Sequence, residues 1–321
     1  MLQFTHCLNG FCQDLTIRSF MQRIILIYNP RSSQYTEVKT NVIDKVHKLK
    51  GYMIGKYEVE PTDVDQNSTK LAKILKNDDL VLAAGGDATA QIAANSILKS
   101  NKNVSLAVLP YGNFNDLSRT LQTNSIEQIL KQKTPHKLYP LEIIVDGKLF
   151  RYATCYVTIG MTAEAVSLYD TPKVRKKLKT NFGRKISSYT SLASWYFKNR
   201  HKKVFLPEFK LNGNLQHKKT SDYAAINGRS MARVMKGGED YKKPRIFRSE
   251  TDRLANFWRL FKLMVKSIFH RIPGSETDGD VLEFTSPATV TIQAEGEYHT
   301  FKNIKTIEIK KGNKCLKVVE N

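Results

Sequence analysis

The stretch Asp79-Leu80-Val81-Leu82-Ala83-Ala84-Gly85-Gly86-Asp87-Ala88-Thr89 decides the fold. Its apolar run is the length of a buried strand, two glycines stop it, and helical spacing resumes over Thr89 to Leu98. Glycines at a strand end let a phosphate approach backbone N–H groups, and the helix that follows turns its positive N-terminus towards that anion. Asp87 at this edge suits orienting a metal ion or taking a proton, and Thr89 suits a helix cap or a phosphate oxygen. A plain tight turn with a helix N-cap uses the same residues, so both readings stand at this point.

Outward from this stretch the same alternation continues. Arg23 to Tyr28 is an apolar, β-branched strand closed by Asn29-Pro30, and Val38, Val42, Ile43, Val46 and Leu49 recur at helical spacing. Tyr52 to Glu60 alternates like a strand, Ser68 to Leu75 is helical, and Val104 to Leu109 is a strand ended by Pro110. The pattern predicts a doubly wound α/β domain with a mostly parallel sheet. Neighbouring strand ends in such a sheet share one crevice. The segment Pro110-Tyr111-Gly112-Asn113-Phe114-Asn115-Asp116-Leu117-Ser118-Arg119 therefore converges on Gly85 to Thr89, with Asn29 on the same rim. Polar groups gathered there suggest a nucleotide phosphate site.

Near Tyr139 the pattern changes. Strands flank an Asp146-Gly147 hairpin, Tyr152 to Ile159 follows, and further strands are expected at Val204 to Leu211, Tyr223 to Ile226, Val281 to Phe284 and Thr289 to Gln293. This predicts a second, antiparallel β-rich domain interrupted by helices at about 187–197 and 253–269. The boundaries expected are 21–139 for the α/β domain and 140–321 for the β-rich one, whose C-terminal strand is free to return to the first domain. Residues 1–20 lack periodicity and are expected to be a disordered or spurious extension ahead of Met21.

Composition narrows the function classes. With 51 Lys plus Arg against 30 Asp plus Glu the 321-residue chain carries +21, and 41% of it is apolar. A wholly disordered chain is excluded, and a polyanionic partner is implied: nucleic acid, an anionic bilayer surface or a phosphorylated substrate. Lys173 to Lys185 is the densest basic cluster. The amphipathic stretch Thr251 to Ile272 fits a core helix better than an interfacial one. Neither an apolar run of about 18 residues nor a signal-peptide pattern is present, so a cytoplasmic protein is expected. The four Cys lack the spacing of a zinc site or a disulfide framework.

Taken together these residues resemble the catalytic domain of the diacylglycerol kinase family, which includes sphingosine and ceramide kinases and soluble bacterial lipid kinases. Gly85-Gly86-Asp87-Ala88-Thr89 resembles its Gly-Gly-Asp-Gly-Thr signature, Asn29-Pro30-Arg31-Ser32 its Asn-Pro-x-Ser, and Pro110 to Arg119 its second loop. Ile159-Gly160-Met161, Asn227-Gly228-Arg229 and Glu295-Gly296-Glu297 continue the likeness in order, the last resembling the late Asp-Gly-Glu. The resemblance implies a fold like that of NAD kinases and diacylglycerol kinases. It also implies an ATP-dependent lipid kinase of phospholipid metabolism, with Mg²⁺, a nucleotide-binding first domain and a lipid-substrate second domain. By the same resemblance Asn29, Ser32, Thr62, Gly85, Gly86, Thr89, Gly112 and Asn115 hold ATP, Asp87 and Asp116 organise Mg²⁺, and Asp87, Glu295 and Glu297 are the catalytic carboxylates. The implied partners are a lipid substrate and, transiently, an anionic membrane surface, with no specific nucleic acid. A homodimer is left open.

Departures from the pattern mark what to examine. Ala88 replaces a glycine, Phe114 replaces another, Ile92 stands where Glu is common, and Glu295 replaces Asp. They keep two other readings in view: a catalytically inactive lipid- or nucleotide-binding relative, and a basic polyanion-binding protein.

Overall fold

A computed structural model describes residues 22–131, 134–164, 194, 206–216, 220–231, 235–237, 246–252 and 275–320. The first part alternates as its sequence does. It runs β1 (Gln22–Tyr28), α1 (Tyr35–Val38) continued through a π-turn (Lys39–Ile43) into α2 (Asp44–Val46), β2 (Tyr52–Glu58), α3 (Val64–Ile74), β3 (Leu80–Gly85), α4 (Asp87–Ser100), β4 (Ser105–Pro110), α5 (Asp116–Leu121), α6 (Ile126–Lys131) and β5 (His136–Leu138). The second part comprises β6 (Leu141–Val145), β7 (Lys148–Ala153), β8 (Tyr156–Gly160), β9 (Phe209–Leu211), β10 (Asn214–Leu215), β11 (Thr220–Ile226), β12 (Ser230–Met231), β13 (Met235–Lys236), β14 (Ile246–Asp252), β15 (Ser275–Thr277), β16 (Gly279–Ala294), β17 (Glu297–Lys311) and β18 (Leu316–Val318).

Among the described residues the first sheet has the order β2-β1-β3-β4-β18-β5, parallel except where β5 meets β18. Its strands are apolar without alternation because both faces are covered. Ile25, Ile27, Val81, Ala83, Leu106 and Val108 pack with α3 and α4. Their neighbours Ile24, Leu26, Leu80, Leu82, Ala107 and Leu109 pack on the other face with Val42, Val46, Ile126 and Ile129. β18 comes from the far end of the chain and pairs in parallel with β4, so the C-terminal strand completes the first sheet.

The second sheet is antiparallel, its main path running β15-β14-β11-β8-β16-β17-β6-β7. Together the two sheets realise the expected class: a mostly parallel α/β unit followed by an antiparallel β-rich one. Asp146 and Gly147 both have positive φ, as a two-residue turn between β6 and β7 requires. Two details differ from expectation. The strand anticipated over Tyr152 to Ile159 breaks at a Thr154-Cys155 bend. The strands anticipated at Val281 to Phe284 and Thr289 to Gln293 are one, β16. Its ladder to β17 shifts between Glu283 and Val290, where Pro287 has no N–H to give but the chain stays extended. Apart from residue 194, the helices expected at 187–197 and 253–269, the basic cluster 173–185 and residues 1–20 lie outside the described residues.

Helix α4 joins the two parts. Thr89 to Leu98 are all buried, because the parallel sheet covers one side and Tyr152, Cys155, Tyr156, Ala224 and Ile226 cover another. Its polar residues 91 and 95 are one turn apart and both reach second-sheet backbone. Gln91 Nε2 donates to Ala294 O at 3.3 Å, while Asn95 donates to Tyr152 O at 3.0 Å and accepts the Tyr152 N–H at 3.1 Å. A half-buried ion pair, Arg151 Nη2 to Asp65 Oδ2 at 2.7 Å, ties β7 to α3.

Candidate active site

β1, β3 and β4 end level with one another, Tyr28 beside Ala84 and Gly85 beside Pro110. The loops that follow lie against each other. A Cβ added to Gly112 would sit 2.1 Å from Gly86 Cα and 2.8 Å from Asn115 Oδ1, and one on Gly85 would sit 2.5 Å from Thr89 Oγ1. Gly86 and Gly112 are there because the two loops touch backbone to backbone, a closeness any side chain would prevent, while Gly85 leaves room for the Thr89 side chain. Gly86 is the N-cap of α4 and offers its first-turn N–H groups no side chain, which leaves that helix end suited to an anion.

Asp87 fastens the second loop to the first. Its Oδ2 accepts the Asn115 N–H at 3.0 Å and its Oδ1 the Asp116 N–H at 2.6 Å. Burial pushes its carboxyl above the usual range, against these hydrogen bonds and the nearby Arg119 charge. Asn115 adopts the left-handed conformation, φ 56°, as N-cap of α5. Its side chain braces its own loop, with Oδ1 accepting the Gly112 N–H at 2.8 Å and Nδ2 donating to Gly112 O at 2.7 Å. Asp116, 0% exposed, is the first helical residue rather than the cap and pairs with Arg119.

The rest of the rim is organised by local bonds. Asn29 Oδ1 accepts the Arg31 N–H at 2.9 Å, Ser32 Oγ accepts the Gln34 N–H at 3.3 Å, and Gln34 Nε2 donates to Gly112 O at 3.3 Å. Thr62, exposed ahead of α3, has its hydroxyl bonded by Asn67 Nδ2 at 2.8 Å. Thr89 packs over Gly85 instead of capping α4. Ala88 lies within the first turn of α4 among residues of ordinary helical backbone, so its methyl meets none of the backbone restriction that a left-handed position would impose. Ile92 belongs to the core between α4 and the sheets.

The second sheet supplies the remaining carboxylates. Glu295 and Gly296, φ 51° and 90°, form the two-residue turn between β16 and β17. Gln91 holds Ala294 beside α4, so this turn comes to the helix that Asp87 starts, across more than 200 residues of sequence. Glu295 is 2% exposed, and its Oε1 accepts the Thr154 hydroxyl at 2.6 Å and the Cys155 N–H. Burial pushes its carboxyl up to about 7, the charge on Asp87 adds to the rise, and these hydrogen bonds oppose it. The same group of charges, Asp87, Asp116 and Glu295, reinforces the upward push of burial on the Cys155 thiol and the Tyr156 phenol. Glu297 opens β17 and is half-buried.

Hard carboxylate oxygens suit Mg²⁺, which typically takes one or two of them and completes its shell with water and substrate phosphate. Among the described residues no three His, Cys, Asp or Glu gather tightly enough to hold an ion unaided. Asp87 and Asp116 are hard carboxylates on adjoining loops, Asp87 accepting the Asn115 and Asp116 N–H groups and Asp116 pairing with Arg119. Sequence reasoning missed Thr154, the Asn227 side chain and Gln91. Gln91 leaves a local sign, as a polar residue four positions after Asp87 between Ala90 and Ile92, and Asn227 one as part of Asn227-Gly228-Arg229.

The sequence pattern of the family described as Diacylglycerol kinase catalytic domain matches residues 23–145. A diacylglycerol kinase from Staphylococcus saprophyticus is 25% identical over 181 residues, 53% of this chain and 55% of that protein. One from Staphylococcus epidermidis is 31% identical over 129 residues, 39% and 37% of the two chains. The chain thus aligns with about half the length, or less, of these curated relatives. A crystal structure of a diacylglycerol kinase from Bacillus anthracis str. Sterne superposes with a TM-score of 0.60 at 12% identity. It covers 94% of this chain and 97% of its own, and shares the fold.

Proposed function

We propose that the chain, whose residues 23–145 match the diacylglycerol kinase catalytic-domain family, is an ATP-dependent lipid kinase, passing the γ-phosphoryl group to the hydroxyl of diacylglycerol or a related lipid alcohol. The observation that carries this reading is the meeting of the Glu295-Gly296-Glu297 turn with the α4 helix that Asp87 begins. Phosphoryl transfer needs a cradle for the phosphates, charge neutralisation and a base for the acceptor, with little other chemistry.

The loop backbones at Gly85, Gly86, Thr89 and Gly112 form the cradle, with Asn29, Ser32 and Thr62 on its rim and Asn115 holding its shape. Asp87 and Asp116 would hold Mg²⁺, which would neutralise charge on the nucleotide phosphates. Glu297, half-buried where Glu295 is enclosed, is the carboxylate assigned to the acceptor hydroxyl, and it takes the proton as the lipid oxygen attacks. Glu295 anchors the turn. An anionic bilayer is the docking surface that the +21 charge favours, and no helix among the described residues is long and apolar enough to cross a membrane.

Incubation with γ-labelled ATP, Mg²⁺ and a total lipid extract, followed by lipid separation, tests the reading. Label in one lipid class, absent from the Asp87→Asn protein, is expected. Wild-type protein that labels no lipid while folded contradicts it.

A further inference from the structure

Glu295 occupies the first position of a two-residue hairpin turn at φ 51°, where Asn, Asp and Gly are the residues of least strain. Hairpin formation does not select glutamate there, and a residue held in a sparsely populated conformation by its surroundings points to a functional position. Both hydrogen bonds to its side chain fall on Oε1, from Thr154 Oγ1 and the Cys155 N–H. These donors come from the bend that breaks β7 from β8.

That bend is fixed from its other side by Asn227. The Asn227 and Gly228 N–H groups donate to Cys155 O at 2.6 and 2.9 Å, and Asn227 Nδ2 donates to Thr154 O at 2.9 Å and to Tyr139 O at 2.8 Å. Its Oδ1 accepts the Lys311 ammonium. Asn227 is 3% exposed, so each of its polar atoms has little water to fall back on. A Cβ on Gly228 would meet Thr120 Oγ1 at 3.0 Å and Cys155 Sγ at 3.2 Å, so the clamp also abuts α5, which Asp116 begins.

We infer that Thr154 and Asn227 are positioning residues for phosphoryl transfer. Asn227 fixes the bend, Thr154 fixes the Glu295 side chain beside Asp87, and that contact sets the strained turn that leads into Glu297. The inference rests on the kinase reading and deepens it.

Thr154→Val removes the hydroxyl at nearly constant shape, and Thr154→Ser keeps it. Each is compared with the wild type for kcat on the labelled lipid, Mg-ATP affinity by calorimetry, thermal midpoint, and amide exchange of the peptide spanning residues 294–298. The expected result is a kcat at least tenfold lower in Thr154→Val with Mg-ATP affinity within twofold. Thr154→Ser restores kcat, and exchange at 294–298 is at least tenfold faster in Thr154→Val alone. A kcat within twofold of wild type in Thr154→Val, or affinity falling in step with kcat, overturns the inference. If wild-type protein phosphorylates no lipid, the kinase reading fails by itself. Exchange then judges the clamp: unchanged rates at 294–298 in Thr154→Val overturn it, and faster rates uphold the positioning of the turn. Asn227→Ala is a second variant with the same expected pattern, used where it retains a cooperative thermal transition.

Discussion

The two halves of the candidate site are built in opposite ways. The Gly85–Thr89 and Gly112–Asp116 loops are consecutive βα connections of one parallel sheet, shaped by bonds within a few residues and by one carboxylate, Asp87, that fastens them together. The Glu295 turn is a hairpin tip whose conformation depends on residues 141 and 68 positions earlier, Thr154 and Asn227. Local chemistry makes the first half, and tertiary clamping makes the second. It follows that substitutions in the first half act by disturbing a self-contained cradle, while those in the second act through partners distant in sequence.

The largest effect is expected at Asp87, which belongs to both descriptions. Asp87→Asn swaps an acceptor of two N–H groups for an amide with a single good acceptor, and removes a charge from the proposed Mg²⁺ site. Turnover of lipid should fall by about 10³-fold or more, roughly 4 kcal/mol of transition-state stabilisation. Steady-state kinetics on lipid checks this, with circular dichroism to show retained fold. A loss under tenfold would break the idea that Asp87 links the halves.

Asp222 provides a contrast for Glu295. Both are buried carboxylates of the second sheet pushed up to about 7. Asp222, however, among the described residues bonds the Thr162 N–H at 3.0 Å and hydroxyl at 2.6 Å, beside Gly160 at the other end of β8 from Tyr156. Its folded pKa lies above its unfolded one, so between about pH 4 and 7 the folded state holds a proton that the unfolded chain has released. Stability from this group is present at low pH and lost as pH rises to about 7, by up to about 4 kcal/mol for a fully buried carboxyl. Asp222→Asn should raise the thermal midpoint at pH 8, lose that advantage at pH 4.5, and leave kcat within about threefold. Thermal melts across pH read this out. A midpoint lowered at pH 8 would contradict it.

Gly112→Ala comes next. The added methyl meets Gly86 Cα, a backbone atom that cannot swing aside, and overpacking of this kind costs about 1–3 kcal/mol. Calorimetry should show Mg-ATP affinity falling along with stability, because the cradle opens. Unchanged affinity would mean that loop contact is not what shapes it. The smallest effect is expected for Ala88→Gly, in the first turn of α4. It should lower stability by less than about 1 kcal/mol and leave turnover within about twofold. A several-fold change in activity would show that residue 88 senses the nucleotide.

The same contrast explains what could be read from the sequence. The parallel sheet and its loops were legible because strand runs, Gly-Gly and Pro breaks and helical spacing are local signals, and the order β1 to β4 follows from them. The Asp146-Gly147 turn was legible for the same reason. Asn115 and Thr62 were named from the resemblance; the Asn115 side chain braces its own loop and the Thr62 hydroxyl is bonded by Asn67 of α3, which no spacing reveals. Thr154 and Gln91 left almost no trace, and Asn227 showed only as part of the Asn227-Gly228-Arg229 motif with no role attached, since their partners lie far away in the chain. Ala88 looked like a departure needing explanation until its place inside a regular helix removed the backbone demand.

The central claim is that the two halves act as one site. A kinetic double-mutant cycle on Asp87→Asn and Glu297→Gln, measured as kcat for lipid phosphorylation, tests it most directly. Residues that work as a unit lose nearly everything with the first substitution, so the double variant should be no more than about tenfold slower than the slower single variant. Losses that multiply in full would mean that the Asp87 edge and the Glu295-Gly296-Glu297 turn contribute independently, and would contradict the account.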